Sequence, residues 1–418
     1  MNKDLINSEQ YLEWFSEIKY QKIEDEPITT RIEDDLNNAK NMNQYEYTLW
    51  QKLEEIRRIS KSPNFFDIKK IKDVKKKIWM PKEPEDYLNL EPELVLAQQE
   101  FPIPSVSIWG HERFDFFSNP DPLSEDWEIM RYFVATMPHG GNVGRSLRFI
   151  VRDRISKKYL GILCLAGDFL AIRARDESIG WNKENKEDQS KLNNTANGSV
   201  IIPTQPLGFS YLGGKLLSIL LASDSVARAW EQIYGDVLVG VSTTSLYGTT
   251  KTATQYDGLK NWKNLGYTEG DTTFRPTVST QLMMKEWMYN NHPFEFWYYY
   301  RAKRANGQPY ERDSNERARR FCYEKLGFKK KDYVSKHTRG VYFCRLYKNT
   351  DEFLRNEIKK RKLVYKFDNS TEALTEYWKK IAGKRVSSLE KNNRFSYEST
   401  FYDEMLSLSW DQTKERYL

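Results

Sequence analysis

The chain has 418 residues and a formal net charge of +6, with 39% hydrophobic, 14% aromatic and 30% charged residues. The aromatic content excludes general disorder, because large rings need burial or a flat partner, and the length predicts more than one domain. No apolar run reaches the roughly 18 residues of a membrane span. Three cysteines without metal-like spacing, and an N-terminus without an apolar signal core, predict a cytoplasmic protein.

Residues 1–80 predict a helical arm that is acidic at first and basic after Ser62-Pro63. Lysines alternate with apolar residues from Asp67 to Trp79, which is typical of an amphipathic helix. Such a helix either binds along the phosphates of a nucleic acid or exposes its lysines to solvent, and the sequence leaves both interpretations open. Residues 81–145 are rich in proline and aromatic residues and predict a linker and packing segment. Its predicted helices are Glu91–Glu100 and 124–136.

Residues 146–348 predict the core of the protein, because the pattern changes to strands. The predicted strands are Leu147–Arg152, Tyr159–Leu165, Gly167–Arg173, Val200–Pro203, Val237–Val241 and Val341–Tyr347. A glycine loop and a helix starting at Lys215 lie between the fourth and the fifth. This order predicts a mixed sheet with helices on its faces. Residues 349–418 predict a C-terminal helical segment.

Residues 275–335 predict a basic, aromatic insertion in the core. Residues 301–362 hold twenty Lys and Arg against eight Asp and Glu, and an aromatic run from Phe294 to Tyr300 precedes them. Basic residues with stackable rings are typical of a nucleic-acid groove. The alternative is that the rings belong to a core and the charges coat the surface. The predicted nucleic-acid contacts are Lys303, Arg304, Arg319, Arg320 and Lys330.

The loop that ends in Gly213-Gly214 is a candidate anion cradle. Glycines at a strand-to-helix turn let backbone N–H groups approach a phosphate, and a helix N-terminus favours negative charge. The candidate cofactor-binding residues are Tyr211, Gly213, Gly214 and Lys215. The alternative is a closely packed turn that binds nothing.

An ordered series of short motifs runs from about residue 145 to residue 275. In chain order they are Tyr159-Leu160-Gly161, Asp168, Ala174-Arg175-Asp176, Ile179-Gly180-Trp181, Leu212–Leu217, Trp230–Gly235, Thr243–Gly248, Asn261-Trp262 and Leu265–Gly270. The series resembles the family of DruA-like proteins, named for a component of the Druantia anti-phage system and also found near transposons and in phages. The strand, glycine loop and helix, with a late helix ending in Leu-Gly-aromatic at Asn261–Tyr267 or Phe321–Phe328, resemble the acyl-CoA N-acyltransferase (GNAT) fold.

The GNAT resemblance implies an α+β core with a mixed, mostly antiparallel sheet flanked by helices, and the predicted helical arms at both ends are additions to this core. In that fold one strand splays from its neighbour, and a loop holds the pyrophosphate of acyl-CoA or a related nucleotide cofactor. A phage DNA-modifying enzyme of the Mom type shares this scaffold, so DNA base modification follows by analogy. The longer Thr249–Asp257 loop and the terminal arms depart from these patterns.

Acyl transfer to an amine needs a base for the amine and a proton donor for the leaving thiolate. The candidate catalytic residues are Asp176 with Arg175, and Tyr247, with Tyr256 as a second tyrosine after the strand. A structural Arg–Asp ion pair and a packed tyrosine ring are the alternatives. The four histidines are too scattered to predict a metal site.

Three functions remain open at this point. The first is an acyltransferase-like enzyme that acts on nucleic acid, with DNA as the expected partner. The second is a DNA-binding component of a defence system or mobile element without catalysis. The third is a structural phage protein whose helical arms bind neighbouring subunits or a partner protein.

Overall fold

The structure, a computed structural model, describes residues 5–418 except 6–7, 18–20, 63–64, 98–102, 107–111, 116–121, 139–143, 189, 247–252, 306 and 308–313. The chain divides into two compact units. Unit 1 comprises Met1–Pro63, Gly270–His337 and Met405–Leu418. Unit 2 comprises Asn64–Glu269 and Thr338–Glu404.

The described strands form one large sheet and one separate hairpin. They are β1 (Pro92–Leu96), β2 (Ile103–Val106), β3 (Glu112–Asp115), β4 (Ser146–Asp153), β5 (Tyr159–Gly167), β6 (Thr195–Pro203), β7 (Gly240–Ser245), β8 (Trp262–Thr273) and β9 (Val334–Arg345). The seven-stranded sheet has the order β1-β4-β5-β6-β7-β9-β8, and β2 pairs with β3. β6 and β7 are parallel, whereas β1–β4, β4–β5, β5–β6 and β7–β9 are antiparallel.

Helices flank this sheet and build most of unit 1. They are α1 (Glu9–Ser16), α2 (Glu26–Lys40), α3 (Gln44–Ser60), α4 (Ile68–Lys76), α5 (Pro122–Phe133), α6 (Arg173–Ile179), α7 (Leu207–Ser210), α8 (Gly213–Leu220), α9 (Asp224–Tyr234), α10 (Val278–Asn291), α11 (Pro293–Tyr300), α12 (Ser314–Lys325), α13 (Lys330–Tyr333), α14 (Thr350–Leu354), α15 (Thr371–Lys391) and α16 (Trp410–Tyr417). The predicted class, a mixed and mostly antiparallel sheet with flanking helices, is confirmed.

The core of unit 2 lies between the sheet and the helices after β6. Leu216, Leu217 and Leu220 of α8 are fully buried together with Trp230 of α9, as the apolar spacing of these helices predicts. Gly161 of β5 permits the close approach of α8, because a Cβ there would lie 2.5 Å from the Leu217 side chain. Helix α8 therefore packs closely against the sheet beside the β6–β7 pair.

Several predicted elements are wrong, and each error has a physical reason. The predicted helix Glu91–Glu100 contains β1, which adds to the sheet edge by pairing with β4. The predicted strand Gly167–Arg173 is wrong because β5 ends at Gly167 and α6 begins at Arg173. The predicted helix Asn261–Tyr267 is part of β8, which takes the place next to β9. In the first and the third of these segments sheet pairing overrides local helix propensity.

Unit 1 is a helical assembly with its own apolar core. Trp287 and Met288 of α10 pack with Ala318 and Tyr323 of α12 and with buried residues of α2. The aromatic run that predicted stacking on bases forms α11, and its Phe294, Phe296, Trp297 and Tyr298 are buried. For these four rings the core alternative holds, so they are not available to stack on nucleic-acid bases.

None of the helices in the described part of the chain is long and apolar enough to cross a membrane. Cys164, Cys322 and Cys344 are buried free thiols, as predicted for Cys164. Burial raises the pKa of both Cys322 and Cys344 to about 12. These thiols are therefore protonated and enclosed at neutral pH, which makes them poor nucleophiles.

Candidate functional site

A groove opens in unit 2 where two parallel strands stop pairing. Residues Thr195–Asn197 of β6 pair with Gly240–Ser242 of β7, but both strands continue beyond these pairs. A cavity of about 630 Å³ lies between the unpaired ends and is lined by Asn197–Pro203 and Thr243–Leu246. We call it the β6–β7 groove. Unpaired strand backbone beside a cavity can hydrogen-bond an extended ligand.

Two arginines from other elements also line the groove. Arg131, at the end of α5, donates hydrogen bonds of 2.9 Å to the carbonyls of Met137 and Pro138. Arg339 of β9 is half-buried, and its guanidinium has no ion-pair or hydrogen-bond partner among the described residues. Burial lowers the pKa of Arg339. An unpaired, half-buried guanidinium beside a cavity favours an anionic ligand, because the ligand would replace lost hydration.

Gln255 and Tyr256 line the groove from the segment after the undescribed residues 247–252. The Gln255 Nε2 group donates to the Ile201 carbonyl at 3.2 Å and to the Tyr256 hydroxyl at 2.9 Å. Burial raises the pKa of Tyr256, so its hydroxyl is protonated at neutral pH. On the other strand, the Thr243 hydroxyl donates to the Gly198 carbonyl at 2.9 Å. Side chains thus satisfy part of the strand backbone that lost its pairing.

The glycine loop packs against protein atoms on the sides where a cradle would need space. A Cβ on Gly213 would lie 2.8 Å from the Leu207 side chain, and a Cβ on Gly214 would lie 2.5 Å from Gln255 Oε1. Both glycines are buried. Close packing with Leu207 and Gln255 therefore accounts for them without a ligand, and their predicted role in binding a cofactor stays a prediction.

The two other candidate cofactor residues also have protein partners. Lys215 Nζ donates to the Asp257 carbonyl; burial lowers the pKa of Lys215, while Asp257 acts in the opposite direction. Tyr211 is fully buried, and its ring lies 5.3 Å from Trp79 and 5.4 Å from Tyr87. Burial raises the pKa of Tyr211. Tyr211 therefore acts as a core residue in this structure.

The candidate catalytic pair, Arg175 and Asp176, belongs to a buried charge network. Arg175 Nη1 lies 2.8 Å from Asp168 Oδ2, and neither side chain is exposed. This pair is an ion contact without hydrogen-bond geometry. Arg175 Nε donates to Asp176 Oδ1 at 2.9 Å, and Lys186 Nζ donates to Asp176 Oδ2 at 2.9 Å. Both Asp176 carboxylate oxygens are thus engaged by cations, which is the arrangement of a structural ion pair.

This network is anchored to the sheet beside the groove. The Ser242 hydroxyl donates to Asp168 Oδ1, and Ser242 belongs to the last residue pair before β6 and β7 separate. The third candidate catalytic residue, Tyr247, lies outside the described residues, directly after Ser245 and Leu246, which line the groove. The network therefore supports the groove, but none of its charged side chains belongs to the described lining.

Comparison with known proteins shows to which family the chain belongs. The family model described as "DruA: Druantia protein DruA" matches residues 124–356, more than half of the chain. The chain belongs to the DruA family. It is 25% identical over 296 residues to the Druantia protein DruA of Escherichia coli (strain UMEA 4076-1), a match that covers 63% of this chain and 69% of that protein. No solved structure matches the chain.

The DruA match includes the whole β6–β7 groove, from Arg131 to Arg339. Sequence patterns single out neither arginine, because each joins the groove only through the fold. Arg339 reaches it because Gly340 pairs with Ser245 at the end of β7. A basic residue just before the predicted strand Val341–Tyr347 carries no local signal of this role.

The predicted nucleic-acid contacts of this DruA-family chain lie in unit 1 and differ in exposure. Lys303 is exposed and Arg304 half-buried. Arg320 pairs with Glu316 at 2.6 Å, and Lys330 pairs with Asp271 at 2.9 Å. Arg319 is buried, with 9% of its surface exposed. These five residues therefore do not form one uniformly exposed row, and their binding to nucleic acid stays a prediction.

Proposed function

We propose that this DruA-family protein works in an anti-phage defence setting and that its β6–β7 groove binds an acyl-CoA or a related nucleotide ligand. The observation that carries the proposal is the separation of the parallel strands β6 and β7 beside a cavity of about 630 Å³. This volume lies within the range of roughly 300–1,000 Å³ that is typical of small-molecule sites. Separated parallel strands are also what the GNAT resemblance leads us to expect.

The chemistry of the lining suits such a ligand. The unpaired edge of β6 offers backbone N–H and C=O groups to an extended molecule that carries amides. Arg339 supplies a positive charge that has no counter-charge among the described residues, and a guanidinium binds phosphate oxygens in a bidentate manner. The groove therefore pairs a neutral, strand-like wall with two arginines, of which Arg339 has no partner among the described residues.

Tyr256 is our proposed proton donor if the groove supports acyl transfer to an amine. It lines the groove, and its hydroxyl carries a proton at neutral pH because burial raises its pKa. This proton would pass to the leaving thiolate as the C–S bond breaks. The described lining contains no Asp, Glu or His. We therefore assign no general base, and propose that the amine gives up its proton to the tyrosinate that forms when Tyr256 has donated.

Isothermal titration with coenzyme A and acetyl-CoA tests the proposal. We expect the wild-type protein to bind and Arg339→Gln to bind about tenfold or more weakly, since a hydrogen bond to a charged group contributes about 1.5–3 kcal/mol. Arg154→Gln is the matched control, because Arg154 is exposed, pairs with Glu91 and lies on the turn after β4. Absence of binding by the wild type, or equal loss in both variants, would reject the groove as this site.

Nucleic acid is the proposed partner of the same protein, and non-catalytic DNA binding is the second candidate function. The observation that favours it is the excess of twenty basic over eight acidic residues in 301–362. Duplex binding through phosphates would weaken with salt, with a slope of about −0.9 per neutralised phosphate in a plot of log K against log salt. An affinity that barely changes between 50 and 200 mM salt, roughly the range in which such binding weakens steeply, would contradict it.

A further inference from the structure

Unit 1 contains a small pocket that is separate in its residues from the β6–β7 groove. It has a volume of about 190 Å³ and is bordered by α3, α10, α11 and α12. Three of these helices each contribute one cation to the lining, namely Arg58 of α3, Lys285 of α10 and Arg319 of α12. None of its lining residues is acidic. A pocket with three cations and no acid in its described lining is suited to an anion.

Arg319 is the side chain that distinguishes this pocket from a basic surface. Only 9% of Arg319 is exposed, and its Nε atom is buried without a hydrogen-bond partner in the described part of the chain. The guanidinium also makes no ion pair with any described residue. Burying an unpaired cation is costly, and natural proteins compensate it with a counter-charge. Where Arg319 lines the pocket, no described residue therefore balances its charge.

The charges around Arg319 also favour an anion beside its guanidinium. Burial lowers the pKa of Arg319, and the nearby positive charge of Arg275 lowers it further. Glu316 is the acidic side chain whose charge opposes this shift, but its carboxylate pairs with Arg320 at 2.6 Å. An anion in the pocket would balance both Arg319 and the cations at its rim.

The remaining lining restricts the size and the kind of ligand. Val278, Met284 and Ala318 give the pocket an apolar wall, and the Tyr300 ring lies 5.1 Å from Lys285 Nζ. The volume is below the roughly 300 Å³ of a usual small-molecule site, so it accommodates one compact group. Rim cations on flexible stems together with one buried guanidinium match a phosphate with several charged oxygens.

We propose that the pocket between α3, α10 and α12 binds a single phosphate group through Arg319, with Arg58 and Lys285 at its rim. The phosphate is either the 5′ end of a nucleic-acid strand or that of a free mononucleotide. An internal phosphodiester carries one charge and is flanked on both sides by sugars, so it fits a closed pocket of this size less well. The site does not depend on the function of the β6–β7 groove.

Thermal unfolding of the full-length protein with increasing inorganic phosphate is the first test. We expect the melting temperature to rise with phosphate concentration, because a ligand that binds only the folded state stabilises it. In Arg319→Met this rise should disappear, whereas the variant itself should fold, since the substitution removes an unpaired buried charge and keeps an unbranched apolar stem. Lys285→Gln, at the exposed rim, should weaken phosphate binding without affecting the core. Lys40→Gln, an exposed lysine of α2 in the same unit, is the control and should behave as wild type.

The second test separates the two sources of phosphate. Fluorescence anisotropy compares a short single strand carrying a 5′-phosphate with the same strand carrying a 5′-hydroxyl. A preference of about tenfold or more for the phosphorylated strand, lost in Arg319→Met, identifies a nucleic-acid end. Equal binding of both strands, together with phosphate-dependent stabilisation and binding of a mononucleotide, identifies the small molecule. If phosphate stabilises neither wild type nor Lys40→Gln, or stabilises Arg319→Met equally, the proposed site is refuted.

Discussion

The buried network around Arg175 allows a quantitative prediction about what holds the groove region together. Arg175 is fully buried and lies against Asp168 on one side and Asp176 on the other. Its Nη2 group also donates to the Phe169 carbonyl at 2.9 Å. We predict that Arg175→Met destabilises unit 2, because it leaves the fully buried Asp168 without a cation.

The size of the effect follows from what each carboxylate retains. Breaking a buried ion pair by removing one partner costs about 3–5 kcal/mol. Asp176 keeps Lys186 at 2.9 Å, and Asp168 keeps the hydrogen bond from Ser242, so the lower end of that range applies. Methionine also retains part of the contact of the arginine stem with Trp181, whose ring lies 5.3 Å from the guanidinium. The expected loss is therefore about 3 kcal/mol.

Hydrogen exchange followed by mass spectrometry measures this loss within unit 2. Peptides from β5 and β7 should exchange about 100-fold faster in Arg175→Met, since each tenfold corresponds to about 1.4 kcal/mol. Arg173→Met is the control, because its side chain is 91% exposed and an exposed ion pair contributes little. The double variant Asp168→Asn, Arg175→Met should recover much of the protection. Exchange in Arg175→Met within about fivefold of wild type, or no recovery in the double variant, would refute the assigned role of the pair.

Two further predictions concern a glycine and a histidine. Gly161→Ala should lower the free energy of unfolding by about 1–3 kcal/mol or more, and with it the melting temperature, because the new Cβ would lie 2.5 Å from the Ile202 carbonyl oxygen. Gly270→Ala is the control: its Cβ meets no atom within 4 Å, so its melting temperature should stay close to that of the wild type. Burial lowers the pKa of His292 below its ordinary value of 6.5, so the unfolded chain takes up the proton first as the pH falls. The stability that His292 contributes is present above pH 6.5 and is lost as the pH falls through the folded pKa, and His292→Gln should flatten the dependence of the melting temperature on pH in this range. A steeper dependence in that variant would contradict the sign.

The elements that sequence patterns predict correctly are those whose neighbours lie close along the chain. Strands β4 and β5 form the predicted hairpin, with Arg148 opposite Cys164, because an alternating segment and a short apolar run flank a short turn. The amphipathic spacing of α4 and α8 places Ile71 and Val74, or Leu216 and Leu217, in the interior. In these cases local periodicity and burial agree.

The elements that sequence patterns miss are set by partners far along the chain. β8 contains Asn264 and Gly266, which are poor strand formers, yet it lies in the sheet next to β9, some 70 residues later. β1 extends the other edge of the sheet through its pairing with β4, across more than 50 residues. Periodicity within a short stretch of sequence carries no information on such pairings, so the two edge strands β1 and β8 are predicted as helices.

The candidate site also depends on residues far apart in the chain, since its defining feature is that β6 and β7 do not pair beyond Asn197 and Ser242. The composition of the glycine loop predicts a phosphate site from local sequence alone, but Gln255 and Leu207 fill the space beside Gly214 and Gly213. Arg319 and Arg339, which each line a cavity and lack a partner among the described residues, stand in ordinary helix and strand patterns. A charge left without compensation by the fold can be recognised only once its neighbours are known. In this chain, the search for ligands is therefore better directed by these two guanidinium groups than by its glycine motif.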